Sequence, residues 1–177
     1  MKSSSSASPS PPSTLTLRGL VPADRAPLEA ILRRTEAFTE EEVAVALELI
    51  DLGLSDDPQG YFFSVAAGDN GRGPVLGYAC WGDTPLADRV YDLYWIAVDP
   101  SLQGGGVGRA LIGAAEADVL RRGGRMLLIE TGGKPSYQKT RGFYLRMGYG
   151  EVARVPNFYS PGDDKVVYQK KLTSPSQ

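Results

Sequence analysis

The chain has 177 residues, 42% of them hydrophobic and 23% charged, with a formal charge of -2; that suits one domain with a sizeable core and lacks the basic excess of a general nucleic-acid binder. Histidine is absent and cysteine occurs once, at Cys80, which removes His-assisted nucleophiles, His-ligated metal sites and any internal disulfide, and suits a reducing compartment. No apolar run approaches the ~18 residues of a membrane span, so the expectation is a soluble, cytoplasmic protein that works without a metal, a nucleic acid or a membrane.

After Met1 and Lys2, residues 1–13 are almost entirely Ser, Pro and Ala. Such a segment cannot bury enough apolar area to offset its ordering entropy, so a disordered tail is expected, and it lacks the apolar core of a signal peptide. Residues 173–177 read the same way, which leaves 14–172 as a single domain. Within it, Thr14–Leu20 alternates as a short strand. A helix follows from Asp24 through Leu28, Ile31 and Leu32. Thr39 and Glu42 have capping-box spacing ahead of Val43, Leu47 and Ile50, which predicts a second helix. Tyr61–Ala67 and Pro74–Trp81 read as strands joined by the glycine-rich stretch 68–73. Tyr91–Val98 is a strand with few polar residues, hence central.

Gly106–Arg122 carries a helical apolar face. Met126–Thr131 is a short buried strand and Tyr137–Met147 a helix. Tyr149–Val155 and Lys165–Leu172 close the sheet, with Asn157–Asp164 as the loop between them. The order β-α-α-β-β-β-α-β-α-β-β predicts an α/β fold: one mixed sheet with helices on both faces.

The stretch from Val98 to Leu111 carries the most chemistry. A central strand ends, glycines cluster at 104, 105, 106 and 108, and a helix begins. Glycines let backbone amides approach a ligand, and the first amides of a helix lack internal partners at the positive end of its dipole. The combination suits a phosphate or pyrophosphate. A P-loop would need Lys-Ser/Thr after the last glycine, where Arg109-Ala110 stands. A dinucleotide fingerprint would need a third Gly or Ala where Arg109 stands. What is present is Q-x-x-G-x-G, from Gln103 to Gly108.

Q-x-x-G-x-G after a strand ending in V-x-P resembles the acyl-CoA-binding motif of the GNAT superfamily of N-acetyltransferases. Phe143-Tyr144-Leu145-Arg146-Met147-Gly148-Tyr149 is similar to the family's F-Y-x-x-x-G-[FY] segment, and the order of elements matches over nearly the whole domain. The resemblance implies a largely antiparallel sheet splayed between its fourth and fifth strands. It implies acetyl-CoA as cosubstrate, its pantetheine arm along Ile96, Ala97 and Val98 and its pyrophosphate on Gln103, Gly104, Gly105, Gly106, Val107, Gly108 and Arg109. It also implies that Tyr144 protonates the departing sulfur.

Acetyl transfer to an amine needs a base, because at a lysine-like pKa of ~10.4 only about one amine in a thousand is free near neutral pH. Asp92 is the only acid inside the central strand, and plain alternation places it on one face with Tyr94, Ile96 and Val98. The family's histone-acetylating branch has a Glu six residues before the strand end, where Asp92 stands. Asp92 is a methylene shorter, which favours a bridging water; a structural hydrogen bond is the alternative role for it. The Val98 amide is the candidate oxyanion donor, and Cys80 reads as a small strand residue.

For the acceptor, Phe38 and Glu41 at the start of the second helix and Tyr159 in the late loop combine aromatics with acids, which suits a cationic amine. Glu130–Gly133 and Tyr137 border the acyl end. Three functions stay open at this point. The first is an N-acetyltransferase acting in a ternary complex on a small-molecule or protein amine. The others are a non-catalytic acyl-CoA-binding module and a binder of another phosphorylated ligand. The acceptor's identity and the oligomeric state, monomer or homodimer, are not written in these motifs.

Overall fold

The computed structural model describes residues 15–173. The Ser/Pro-rich tail of residues 1–13 and all but the first residue of the C-terminal tail lie outside them. The chain runs β1 (Thr16–Arg18), α1 (Arg25–Arg34), α2 (Glu40–Gly53), β2 (Tyr61–Ala67), β3 (Val75–Asp83), β4 (Val90–Val98), α3 (Val107–Arg121), β5 (Met126–Gly132), α4 (Gln138–Arg146), β6 (Gly150–Ser160) and β7 (Asp163–Lys171). The capping box read from Thr39 and Glu42 is present: the Thr39 side chain accepts from the Glu42 amide, and Glu42 accepts from the Thr39 amide. The stretch expected as a loop over 157–164 is mostly strand. β6 runs on to Ser160 and turns into β7 through Pro161 and Gly162 alone. Asn157, at φ 55°, absorbs the irregularity, and its side chain accepts from the Gly162 amide at 2.7 Å.

Seven strands form one sheet in the order β1-β2-β3-β4-β5-β7-β6, with every neighbouring pair antiparallel except β4 and β5. Two apolar layers cover its faces. On one face α1 and α2 pack Leu28, Ile31, Val43 and Ile50 against Val65, Tyr78, Cys80 and Ala97. On the other, α3 packs Leu111, Ile112 and Ala115 with Leu93, Leu127, Ile129, Tyr144 and Tyr168. Cys80 is wholly buried, and burial pushes its thiol well up from the ordinary range. No helix among the described residues is long and apolar enough to cross a membrane, and no cluster of metal-ligating side chains occurs among them.

Two irregularities in β4 set the geometry of everything that follows. The parallel ladder with β5 runs only from Val90↔Met126 to Leu93↔Ile129, whereas β4 stays paired with β3 out to Val98. The sheet therefore splays beyond Leu93. At the same place the register with β3 slips: Trp81 faces Leu93 and Cys80 faces Trp95, so Tyr94 is an extra residue. This bulge reverses the alternation. Tyr91 and Leu93 face the α3 layer before it, and Ile96 and Val98 face that layer after it, while Trp95 and Ala97 face α1 and α2. Asp92 consequently lies on the α1/α2 face. The expectation that it shares a face with Ile96 and Val98 fails, because strict period-two alternation does not survive an inserted residue.

Candidate active site

Beyond Leu93 one edge of β4 has no neighbouring strand. The Asp99 amide bonds the Leu76 carbonyl of β3 at 2.9 Å. Counting back along extended backbone, the Ala97 amide also faces β3, and the Val98 and Ile96 amides face the edge that β5 has left. Ala97 is thus corrected: its amide belongs to the sheet and its side chain, 4% exposed, to the α1/α2 core. Ile96 and Val98 instead line a cleft of about 750 Å³, with Leu102, Gln103, Gly104, Gly106, Gly108 and Arg109 along one side and α4 along the other.

At the glycine turn, Gly104 and Gly106 sit at φ 85° and 87°, the left-handed region that an L side chain resists. The Ala110 amide is the first of α3 to bond within the helix, to the Gly106 carbonyl at 3.0 Å, so the amides of Val107, Gly108 and Arg109 have no helical partner. Val107 turns its side chain into the core, so only its backbone is available to a ligand, and Gly105, outside the cleft wall, spends its amide on the Leu102 carbonyl at 3.1 Å. Arg109 is exposed beside the cleft. Gly108 is needed for a different reason: a Cβ there would stand 3.2 Å from the Phe143 ring, the α4 side chain that closes the cleft. The turn is braced from behind. Asp99 accepts from the Ser101 amide and hydroxyl and from Arg34 at 2.6 Å. Burial works against its carboxylate, but the Ser101 bonds and the Arg34 guanidinium together hold it below the usual range.

These features fit a coenzyme A nucleotide. Unpaired amides and a cation stand where a pyrophosphate would lie, and a free strand edge follows for an amide-bearing arm such as pantetheine. No side-chain cage for a metal accompanies them among the described residues.

Tyr144 of α4, almost wholly buried, is part of the cleft lining. Its ring packs against Phe143, Tyr149 and Tyr168 at centroid distances of 5.6, 6.3 and 5.9 Å. The hydroxyl makes no hydrogen bond to a described residue. Among the described residues only the Tyr78 hydroxyl is both sealed and unpartnered, so the Tyr144 tip opens on the cleft that it lines. Burial, reinforced by neighbouring Tyr137, pushes its phenol well up from 10, which keeps the proton in place.

The α1/α2 side of the splay is built differently. Asp92 is half-buried and accepts from the Thr84 hydroxyl at 2.7 Å. It pairs across the ladder with Gly82. A Cβ on Gly82 would stand 3.2 Å from the Tyr94 ring and 3.6 Å from the Tyr61 ring, so these rings converge over that glycine. Burial and the Asp92 charge push the Tyr94 phenol up to about 12. Phe38 meets Trp95 edge-on at 5.1 Å. Glu41 and Glu42 are both exposed in the first turn of α2, and after burial the Glu42 charge is the main cause raising the Tyr137 phenol.

Tyr137, just ahead of α4, donates to the Ala37 carbonyl at 2.8 Å, tying the α1–α2 loop to the cleft's α4 wall. Tyr159 donates to Glu130 of β5, which Lys165 also pairs. Motif spacing did not single out Trp95, Tyr61 or Gly82. Only cross-strand register and aromatic pairing bring them together.

A splayed sheet, a free strand edge and a helix start with open amides define an acyl-CoA-dependent transferase fold. The family model for the acetyltransferase (GNAT) family matches residues 26–149, and the chain belongs to that family. Among solved structures, a GNAT-family protein from Desulfovibrio desulfuricans is 40% identical with a TM-score of 0.85, covering 90% of this chain and 100% of its own. The Escherichia coli ribosomal-protein-S18-alanine N-acetyltransferase is 21% identical with a TM-score of 0.71, covering 93% and 97%. Salmonella typhimurium yncA, solved with acetyl-CoA, is 21% identical with a TM-score of 0.69, covering 93% and 98%. The latter two share the fold. No curated protein matches the chain.

Proposed function

We propose that this protein is an N-acetyltransferase that moves the acetyl group of acetyl-CoA to a primary amine by direct attack in a ternary complex, within a single domain over residues 14–172. The observation that carries the reading is the position of Tyr144 in the wall of the same cleft that contains the β4 free edge and the α3 amides.

The turn amides and Arg109 hold the pyrophosphate, and the Ile96 and Val98 backbone holds the pantetheine arm. The acceptor enters from the α1/α2 face, where Asp92 takes the amine proton through a bridging water. The amine nitrogen then bonds to the thioester carbonyl carbon. The Val98 amide is the donor for the oxyanion that forms. As the carbon–sulfur bond breaks, Tyr144 gives its proton to the departing thiolate. That thiolate is desolvated in the same cleft, so its basicity rises along with that of the phenol. An acetyl-Cys80 carrier is disfavoured, because the thiol is sealed in the α1/α2 core and held protonated.

The test pairs binding with turnover. Acetyl-CoA at a hundredfold excess over Kd should stabilise the fold by about 2.7 kcal/mol, visible as a higher Tm that NAD and ATP do not match. Free thiol should be released in the presence of a suitable amine. A Tm shift with no acetylation across a broad amine panel would leave an acyl-CoA-binding module and end the enzyme reading.

A further inference from the structure

β7 turns Val166, Tyr168 and Leu172 toward the α3 layer, and Lys170 falls in the same period-two row, opposite buried Leu127 of β5. A lysine there is costly unless its charge is paired and its donors are met. Both conditions hold. The ammonium donates to each Glu116 carboxylate oxygen at 2.8 Å and to the Met147 carbonyl at 2.9 Å, which uses all three of its donors. Glu116 also accepts from the Tyr149 hydroxyl at 2.9 Å. Burial, then the Glu116 charge, push the Tyr149 phenol well up, so it remains a donor. One cation and one anion thus join α3 through Glu116, β7 through Lys170, and the end of α4 through Met147 and Tyr149.

We infer that Lys170 and Glu116 are positioning residues: through Tyr149 and the C-terminal end of α4 they fix the place of the Tyr144 side chain in the cleft wall. This rests on the transferase reading above, in which Tyr144 gives the departing sulfur its proton, and deepens it.

The ending of α4 carries the constraint to Tyr144. The Tyr149 amide bonds the Tyr144 carbonyl at 3.1 Å and the Gly148 amide bonds the Leu145 carbonyl at 3.0 Å. That paired ending needs a left-handed residue just past the helix, and Gly148 has φ 84°. The Tyr149 ring, 3% exposed, lies 6.3 Å from the Tyr144 ring, and Tyr168 of the Lys170 row lies 5.9 Å from it. The Lys170 stem runs beside Gly148, whose Cβ, if present, would stand 3.7 Å from Cε. An ammonium at a helix C-terminus also meets the negative end of the dipole. On the far side, Glu116 belongs to α3, the helix with the open amides. Phe143 against Gly108 spaces α3 from α4 near the glycine turn, and Glu116 with Tyr149 does so at the other end. Well-packed apolar residues at 116 and 170 would stabilise the fold as well or better. What the charges add is direction: a fixed acceptor for one hydroxyl and a fixed donor for one carbonyl.

The experiment is a double-mutant cycle on initial rates of thiol release from acetyl-CoA. The acceptor is the fastest of a panel of primary amines that includes spermidine, 2-phenylethylamine and kanamycin, held saturating. Lys170→Met keeps the stem and removes the ammonium; it should lower kcat about ten- to hundredfold, with the acetyl-CoA KM within about twofold. Tyr149→Phe removes only the hydroxyl and should lower kcat about threefold or more. Beside Tyr144→Phe, each should lower kcat by less than about a further twofold, because no acid is left to misplace. Tm is measured for every variant. Tyr149→Phe keeps the ring and both backbone bonds, so it decides alone should Lys170→Met not fold. If every folded variant keeps kcat within twofold of wild type, or if the losses persist undiminished beside Tyr144→Phe, the positioning role is overturned and the transferase reading stands. No turnover of any amine, with acetyl-CoA still raising Tm, would overturn both.

Discussion

Replacing Tyr144 by phenylalanine removes one oxygen and its proton from the cleft wall. The ring contacts with Phe143, Tyr149 and Tyr168 do not depend on the hydroxyl. Because the hydroxyl has no hydrogen bond to a described residue, its loss strands no partner, and stability should move by less than ~0.5 kcal/mol. For a domain of this size that is under about 2 °C in Tm. Loss of a positioned general acid, by contrast, should lower kcat by ~10²–10⁴, which is about 2.7–5.4 kcal/mol of barrier. The KM for acetyl-CoA should change less than twofold, because the proposed complex holds the nucleotide at the glycine turn and the pantetheine arm along β4, away from the Tyr144 hydroxyl. Initial rates of thiol release over a matrix of both substrates give kcat and both KM values, and a melt beside them confirms folding. A folded Tyr144→Phe protein with kcat within threefold of wild type would refute the reasoning; the thiolate would then leave unprotonated or take its proton from water.

Three other perturbations follow from the structure. Gly106→Val forces a β-branched residue to φ 87° at the start of α3; it should cost ~1–2 kcal/mol and abolish the acetyl-CoA Tm shift, and a retained shift would show that the turn does not hold the ligand. Asp92→Asn keeps the Thr84 hydrogen bond in reach but removes the base, so the deficit in kcat/KM should be largest at pH 6 and shrink toward pH 9 as solvent deprotonates more amine; a rate equal to wild type across that range would leave Asp92 a structural role. Tyr78→Phe removes a hydroxyl that is buried without a partner in the α1/α2 core, and should stabilise by roughly 1–2 kcal/mol, measured as a rise in chemical-denaturation midpoint; destabilisation would mean that the hydroxyl has a partner, such as an internal water.

The features legible from residues alone were those set by local geometry. Thr39 and Glu42 are three apart, and the capping box they form is a contact within one turn. The glycine cluster ahead of a helix was read as a close-approach turn, and Gly104 and Gly106 take the positive φ that such a turn uses. The strand–glycine–helix order carried the cofactor side, and the resemblance supplied the splay. What escaped depends on register between distant segments. Nothing around Tyr94 in the chain marks it as an extra residue, because a bulge exists only relative to the partner strand. One unread insertion was enough to place Asp92 on the wrong face. The loop expected over 157–164 failed because Asn157 takes up the irregularity inside a continuing strand, which a run of turn-forming residues disguises. The link from Tyr159 to Glu130 joins positions far apart in sequence, which no spacing rule reaches.

The inserted residue in β4 also divides the strand's labour. Upstream of it, Asp92 lies on the α1/α2 face; downstream, the Ile96 and Val98 amides face the edge without a neighbouring strand. On the transferase function proposed above, substitution at position 92 should therefore change amine turnover while leaving acetyl-CoA affinity, assigned there to main-chain atoms beyond the bulge, as it was. Single-residue insertions or deletions are another matter. Removing the extra residue Tyr94 would restore plain alternation and leave both halves on the faces they now occupy, with Leu93, Ile96 and Val98 toward α3 and Asp92, Trp95 and Ala97 toward α1 and α2, whereas removing Asp92 would turn Leu93 away from α3 and Tyr94 toward it. The bulge is thus the place where β4 absorbs the loss of a residue with both faces kept, and a deep mutational scan including deletions should show more tolerance at Tyr94 than at Asp92.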